Sequence, residues 1–208
     1  FIDQPLVKIL VGIRRCGKST IFEMLEEELL RRGVPADHII CKRYTEMDIP
    51  ESITAKQMYD ELMKAMAGKG HCYLLLDEIQ EITGWERAVN SLLEDANTDI
   101  YVTGSNSKLL SGELATYLSG RYIQIQVFPF SLAEAKQQCI ENRTYTSDEK
   151  LFADYLKYGG FPQRFFLPDD HSITTYLDDL YEAIIVRDIM LRHNIREQTA
   201  LRNVLAFL

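Results

Sequence analysis

Nine consecutive residues, Gly12-Ile13-Arg14-Arg15-Cys16-Gly17-Lys18-Ser19-Thr20, carry the strongest chemistry in this chain of 208 residues. Their spacing is G-x-x-x-x-G-K-[ST], a loop whose backbone N–H groups can surround phosphate oxygens. Gly12 and Gly17 permit the tight turn. Lys18 is placed to reach the β- and γ-phosphates of a nucleotide, and Ser19 to offer its hydroxyl to Mg²⁺. Thr20, one residue further, is placed to face the base or the α-phosphate. The context agrees: an apolar run, Leu6 to Val11, precedes the loop. An amphipathic helix follows from about Ser19, so its dipole points at the same anion. A glycine turn with a chance lysine would not need that context.

The second signal is Asp77-Glu78, directly after the apolar Tyr73-Leu74-Leu75-Leu76. Acids at the tip of a buried strand are costly unless a cation meets them there. Downstream of a phosphate loop this is the Walker B arrangement: Asp77 holds Mg²⁺, directly or through water, and Glu78 polarises the attacking water. As neighbours on one strand, the two side chains are expected to point to opposite sides. Gly104-Ser105-Asn106-Ser107 follows another strand, Asp99 to Thr103. There Ser105 and Asn106 could bond the γ-phosphate or the water, although turn and capping chemistry would use the same residues. Arg121, after Ser119-Gly120, is a candidate for γ-phosphate contact in cis or from a neighbouring subunit; a solvated arginine after a glycine turn is the alternative. Arg187, beside Asp188, is a weaker candidate because such pairs are commonly surface ion pairs. Cys16 is expected to be a reactive thiol, beside Arg15 and a helix N-terminus, unless it is a small filler.

The elements that must position these groups alternate. Strands are read at Leu6–Val11, buried on both faces, and at Ile39–Tyr44, Tyr73–Leu76 and Asp99–Thr103; the alternation of Tyr122–Val127 makes it an edge or half-exposed strand. Helices are read at Ser19–Arg32, with Ile21, Phe22, Leu25, Leu29 and Leu30 on one side, and from an N-cap at Thr54 to Ala67. The Met58, Leu62, Met63 and Met66 stripe of the latter reads as core more readily than as a soft partner surface. A helix from about Trp85 to Ala96 follows, and another segment runs to Leu118. Texture changes at Pro129: from Ser131 onward only helices are expected, at 131–141, 148–158 and 173–193, with Gly159-Gly160-Phe161-Pro162 as a rigid turn. Ala200 to Leu208 reads as the start of one more helix.

Composition bounds the rest. A chain that is 46% hydrophobic and 26% charged is an ordinary globular sequence. A net charge of −8 argues against broad nucleic-acid affinity, leaving Arg14, Arg15 and Lys18 as a local basic site. No apolar run has the length of a membrane span, so no membrane is expected. Cys16, Cys41, Cys72 and Cys139 lack metal-site spacing, which favours a reducing cytoplasmic compartment. The chain opens on Phe1 without a leader pattern, and its native start is expected to lie upstream.

Taken together, Gly-Ile-Arg-Arg-Cys-Gly-Lys-Ser-Thr (12–20), Leu-Leu-Leu-Asp-Glu-Ile-Gln (74–80) and Thr-Gly-Ser-Asn-Ser-Lys-Leu-Leu (103–110) resemble a known family. Leu-Ser-Gly-Arg (118–121), Phe-Pro-Phe-Ser (128–131), Tyr-Gly-Gly-Phe-Pro (158–162) and Arg187-Asp188 extend the likeness. The family is the AAA-like ATPases of bacteria and archaea that carry a C-terminal domain of unknown function. The resemblance implies an α/β P-loop NTPase fold: a five-stranded parallel sheet in the order 5-1-4-3-2, flanked by helices, with a catalytic glutamate. It implies a domain over 1–130, an all-helical lid over 131–195, and the start of a winged-helix-like domain over 196–208.

The expected function is binding of ATP with Mg²⁺ and its hydrolysis to drive a conformational or assembly change, with a homo-oligomer as one source of an arginine. A nucleotide-gated binding module with negligible turnover is the rival reading. A small-molecule kinase is a further rival, set against an Asp-Glu pair suited to water and the absence of an arginine-rich acceptor lid. GTP is disfavoured because no Asn-Lys-x-Asp stretch occurs. The macromolecular partner stays open, nucleic acid included, through a C-terminal part beyond this chain.

Overall fold

The computed structural model describes residues 1–45, 53–105, 118 and 120–184. Its five strands are β1 (Val7–Gly12), β2 (Ile39–Arg43), β3 (Cys72–Asp77), β4 (Thr98–Ser105) and β5 (Tyr122–Gln126). They form one sheet in the order β2-β3-β4-β1-β5, every neighbouring pair parallel. Read from the other edge this is the expected 5-1-4-3-2, with β5 at an edge as its alternation allows.

The pleat explains the layers. Alternate residues Val7, Ile9 and Val11 of β1 join Ile40, Leu74, Leu76, Ile100 and Val102 on one face. Two helices cover that face: α2 (Ala55–Met66), through Met58, Leu62 and Met66, and α3 (Trp85–Asp95), through Trp85, Val89 and Leu92. The other face gathers Leu10, Ile39, Tyr73, Leu75 and Tyr101 under Phe22 and Leu29 of α1 (Lys18–Arg31). A parallel sheet needs both faces covered, and β1 and β3 are buried at every position. The methionines of α2 are core, as read.

Several boundaries and faces differ from expectation. Lys8 lies inside the strand read as continuously apolar and is 0% exposed. On α1, Ile21 and Leu30 are exposed; the helix buries a stripe narrower than its apolar residues suggest. α2 starts where expected because Thr54 and Gln57 form a reciprocal capping box, at 3.2 and 2.9 Å.

The chain divides into two units: Phe1–Gly12 with Gly17–Val127, and Ile13–Cys16 with Phe128 onward. In the second, the described elements are α4 (Leu132–Glu141), α5 (Asp148–Tyr158), a 3₁₀ turn (Pro162–Phe166) and α6 (Asp170–Glu182). α6 begins before the expected Ile173 because the Asp169 carboxylate accepts the Ser172 N–H at 2.8 Å and caps it there. Its expected run to His193, the helix before Leu118 and the region from 196 lie outside the described residues. Within this unit the Phe130 N–H donates to the Gly160 carbonyl at 2.8 Å, and the Tyr155 hydroxyl to the Phe130 carbonyl at 2.7 Å. A Cβ on Gly160 would lie 2.0 Å from the Phe130 oxygen, so this close approach admits only glycine.

Candidate nucleotide site

The C-terminal edge of the sheet collects the groups that sequence reasoning singled out. Gly12 ends β1, and the Gly12↔Ser105 register sets the end of β4 beside it. Gly17 has φ 104, a conformation that favours glycine, and caps α1. Lys18, 5% exposed, folds back so that its ammonium donates to the Gly12 carbonyl at 3.1 Å. The Ser19 hydroxyl donates to Asp77 Oδ2 at 2.8 Å, which joins the first turn of α1 to the tip of β3. Ser19 and Asp77, 58 residues apart in the chain, are thus brought together, with Lys18 next to Ser19 in sequence.

Within the other unit, Ile13 and Arg14 are exposed, and the Cys16 N–H reaches the Ile13 carbonyl at 3.4 Å. Arg15 adopts a left-handed φ of 61, with its guanidinium 5.6 Å from the Tyr176 ring centre. Cys16 is buried, which favours the small-filler alternative over the reactive thiol, since attack needs access as well as a low pKa. Thr20 is exposed in the first turn of α1.

Glu78 corrects another expectation. β3 ends at Asp77, and Glu78 takes φ 54, ψ 42, starting the 3₁₀ turn Ile79–Glu81. The carboxylates are therefore separated by a left-handed turn, not by strand alternation. Non-glycine residues in this region cost energy and concentrate at functional sites. Here the turn is held by the Thr103 hydroxyl, which accepts the Glu78 N–H at 3.1 Å and donates to Asp77 Oδ1. The Glu78 carboxylate accepts from Gln80 Nε2.

Two residues at this edge were not singled out from sequence. Thr103 is one; the other is Arg43, whose Nε donates to Asp77 Oδ2 at 3.2 Å. The register sets Arg43 opposite Asp77, so strand order alone makes them neighbours. A usable signal existed for Thr103, the last residue before the glycine at the tip of β4, but none for Arg43.

Arg121 is not brought to this edge. Tyr122 pairs with Val7 and Gln126 with Val11, so Arg121 lies at the N-terminal edge. That is roughly 20 Å of strand from Gly12. Its guanidinium pairs with Glu94 and contacts Asn90 at 3.2 Å, and this bond holds the Glu94 carboxyl below its usual range. Asn106 and Arg187 lie outside the described residues; Ser105 is the last residue of β4.

The donor set fits Mg²⁺ and a polyphosphate. A hydroxyl and a carboxylate are hard oxygen ligands, and a buried ammonium beside a glycine-bounded loop suits phosphate. Among the described residues no group of three or more His, Cys, Asp or Glu could hold a metal ion by itself.

Comparison with known proteins gives the fold and the family. AMPPCP-bound DnaA from Aquifex aeolicus is similar in fold, with a TM-score of 0.51 and 13% identity, over 98% of this chain and 62% of that one. An uncharacterized protein of Haemophilus influenzae is 35% identical over 214 residues, which is 100% of this chain and 52% of that protein. A second, MJ1544 of Methanocaldococcus jannaschii, is 31% identical over 209 residues, 96% of this chain and 46% of that protein. The chain therefore spans about half the length of these curated relatives. Residues 4–136 match the family described as an AAA domain. With its phosphate loop, its Ser19–Asp77 contact and its parallel sheet, the chain belongs to that family of AAA-like P-loop ATPases.

Proposed function

We propose that this chain binds ATP with Mg²⁺ and hydrolyses it, the energy serving a conformational or assembly change in the longer protein. The observation that supports the reading is the 2.8 Å bond between Ser19 and Asp77, the two residues proposed to hold the metal, with Lys18 buried next to Ser19 in sequence. In this reading Lys18 and the loop N–H groups of Gly12 to Thr20 hold the β- and γ-phosphates. Ser19 and Asp77 hold Mg²⁺, which when bound draws negative charge from the phosphate oxygens. Glu78 orients a water and takes its proton, and Thr103 keeps Glu78 and Asp77 in register. Ser105 and Asn106 remain candidates for bonds to the γ-phosphate or the water. No helix among the described residues is long and apolar enough to cross a membrane. The four cysteines are free, and a reducing compartment, the cytoplasm, is part of this proposal.

Arg121 lies at the opposite edge, paired with Glu94, which removes a role in cis. Any contact it makes with a γ-phosphate would be with another subunit's nucleotide, and a homo-oligomer is the proposed route to full activity. A nucleotide-gated switch remains the second reading, because the isolated chain would hydrolyse slowly without that arginine, worth about 10³ to 10⁵ in rate where such a group operates.

The test is thermal unfolding with and without ATP and Mg²⁺. Ligand at a hundredfold excess over Kd should add about 2.7 kcal/mol of stability, and Lys18→Ala should remove most of it. An equal gain in the Lys18→Ala protein would remove the assignment. ATP turnover by the longer protein, with and without DNA, then separates enzyme from switch and probes the open question of a nucleic-acid partner.

A further inference from the structure

Asp77 is the most heavily engaged acid at the C-terminal edge. Oδ1 accepts from the Thr103 hydroxyl, while Oδ2 accepts from Ser19 Oγ at 2.8 Å and from Arg43 Nε at 3.2 Å. Two of these donors are hydroxyls, and one is a full positive charge. Arg43 therefore supplies a countercation on the same oxygen that faces Ser19, the hydroxyl assigned to the metal. The Asp77 side chain is 7% exposed and the Arg43 side chain 47%. The acid is thus fixed in the protein, whereas the guanidinium reaches it from a solvent-facing stem.

Arg43 also has somewhere else to go. A cavity of about 130 Å³ adjoins the contact, lined by Ser19, Phe22, Glu23, Glu26, Arg43 and Asp77, among others. Glu23 and Glu26 lie on α1, the helix that begins at the phosphate loop, and Glu26 accepts from the Cys41 thiol at 3.6 Å. Glu23 and Glu26 thus bring two carboxylates to the cavity that Arg43 lines, with Lys42 as a further cation there.

We propose that Arg43 is a displaceable countercation: it neutralises Asp77 in the metal-free protein and yields Asp77 Oδ2 when Mg²⁺ and nucleotide bind, turning toward Glu23 and Glu26. A guanidinium within hydrogen-bond distance of a metal-ligating oxygen repels a divalent ion placed there, and at a half-exposed site that repulsion is damped but not abolished. Arg43 thereby sets how much metal contributes to nucleotide affinity, and links metal arrival to a side-chain move from the tip of β2 to the flank of α1. This rests on the nucleotide-site reading above, and it assigns Arg43 a positioning role, not a catalytic one.

The experiment measures binding, not turnover. A fluorescent N-methylanthraniloyl ADP is titrated into the chain in EDTA and again in Mg²⁺, and the ratio of the two dissociation constants reports the contribution of the metal. Arg43→Gln should raise that ratio by about tenfold, mainly by tightening the Mg²⁺ complex, since like-charge competition is removed. Arg43→Lys, which keeps the charge, should stay near the wild-type ratio. In EDTA without nucleotide, Arg43→Gln should melt below wild type, and with Mg²⁺ and ADP the gap should close or reverse. A ratio in Arg43→Gln that is unchanged or lower overturns the proposal, a lower one showing that Arg43 helps to hold the metal–nucleotide complex. A lysine variant that behaves like the glutamine variant overturns it too. Wild-type protein that binds no ADP in either condition overturns the nucleotide-site reading itself, and is distinguishable from the other outcomes.

Discussion

Both edges of the sheet bury a lysine and an aspartate, and they use them differently. At the N-terminal edge Lys8 and Asp99 pair with each other, their side chains 0% and 1% exposed. The surroundings complete the set. The Lys8 ammonium also donates to the Gln4 carbonyl at 2.6 Å, and Asp99 accepts from the Asp3 N–H at 2.8 Å and the Tyr101 hydroxyl at 2.9 Å. The Tyr73 hydroxyl donates to Asp3 at 2.6 Å, and burial first, then that carboxylate, pushes its pKa up to about 12. Burial and Asp99 likewise raise the Tyr101 hydroxyl, so both tyrosines stay donors at neutral pH. At the C-terminal edge Lys18 turns to the Gly12 carbonyl while Asp77 takes Ser19, Thr103 and Arg43. The first cluster ties the segment before β1 to the sheet; the second presents groups that a phosphate and a metal can engage. Burial of charge is common to both, so burial alone does not mark a site. What sets Asp77 apart is its partners, two hydroxyls and an exposed arginine.

The largest expected effect breaks the closed cluster. Asp99→Leu leaves Lys8 buried without its counterion and should cost about 3–5 kcal/mol, read from urea denaturation. Lys8→Met with Asp99→Leu should recover most of that loss. If the double variant is as unstable as the single one, the cluster acts through something other than the pair.

A change at the open edge should act on rate instead. Glu78→Gln removes the carboxylate that orients water while keeping its size and hydrogen bonding. Nucleotide affinity should stay within a few-fold, and ATP turnover by the longer protein should fall by roughly 10² or more. Wild-type turnover in that variant would show that Glu78 is not the catalytic base, and no turnover in wild type under any condition would favour the switch.

The smallest expected stability effect returns to the N-terminal edge, at its surface. Arg121 and Glu94 are each about half exposed, so Arg121→Ala should change unfolding free energy by less than about 1 kcal/mol. A sharp loss of turnover in an assembled protein, with stability intact, would assign Arg121 to a neighbour's nucleotide. Unchanged turnover in a demonstrated oligomer would leave it a surface ion pair.

Local spacing and period carried what was legible in sequence. The phosphate loop is a contiguous signal, since its glycines, lysine and serine act through one turn of backbone. Continuous apolar runs announced buried parallel strands, and the Thr54 cap announced the start of α2. The acids at the tip of β3 could be read because a buried strand ending in charge needs a reason. Tertiary structure alone decided which distant side chains meet. Arg43 faces Asp77 only because β2 lies beside β3, and Thr103 holds Glu78 only because β4 lies on the other side of β3. Lys8, hidden in an apolar run, found Asp99 because β1 and β4 pair, with Lys8 opposite Tyr101. Glu78 left the strand because one left-handed residue turns the chain, which period-two counting does not register. Arg121 fell at the far edge because β5 runs parallel to β1 and begins where β1 begins. The physical reason is common to all of these: sequence period encodes which face a residue takes, while strand order and register encode whom it meets.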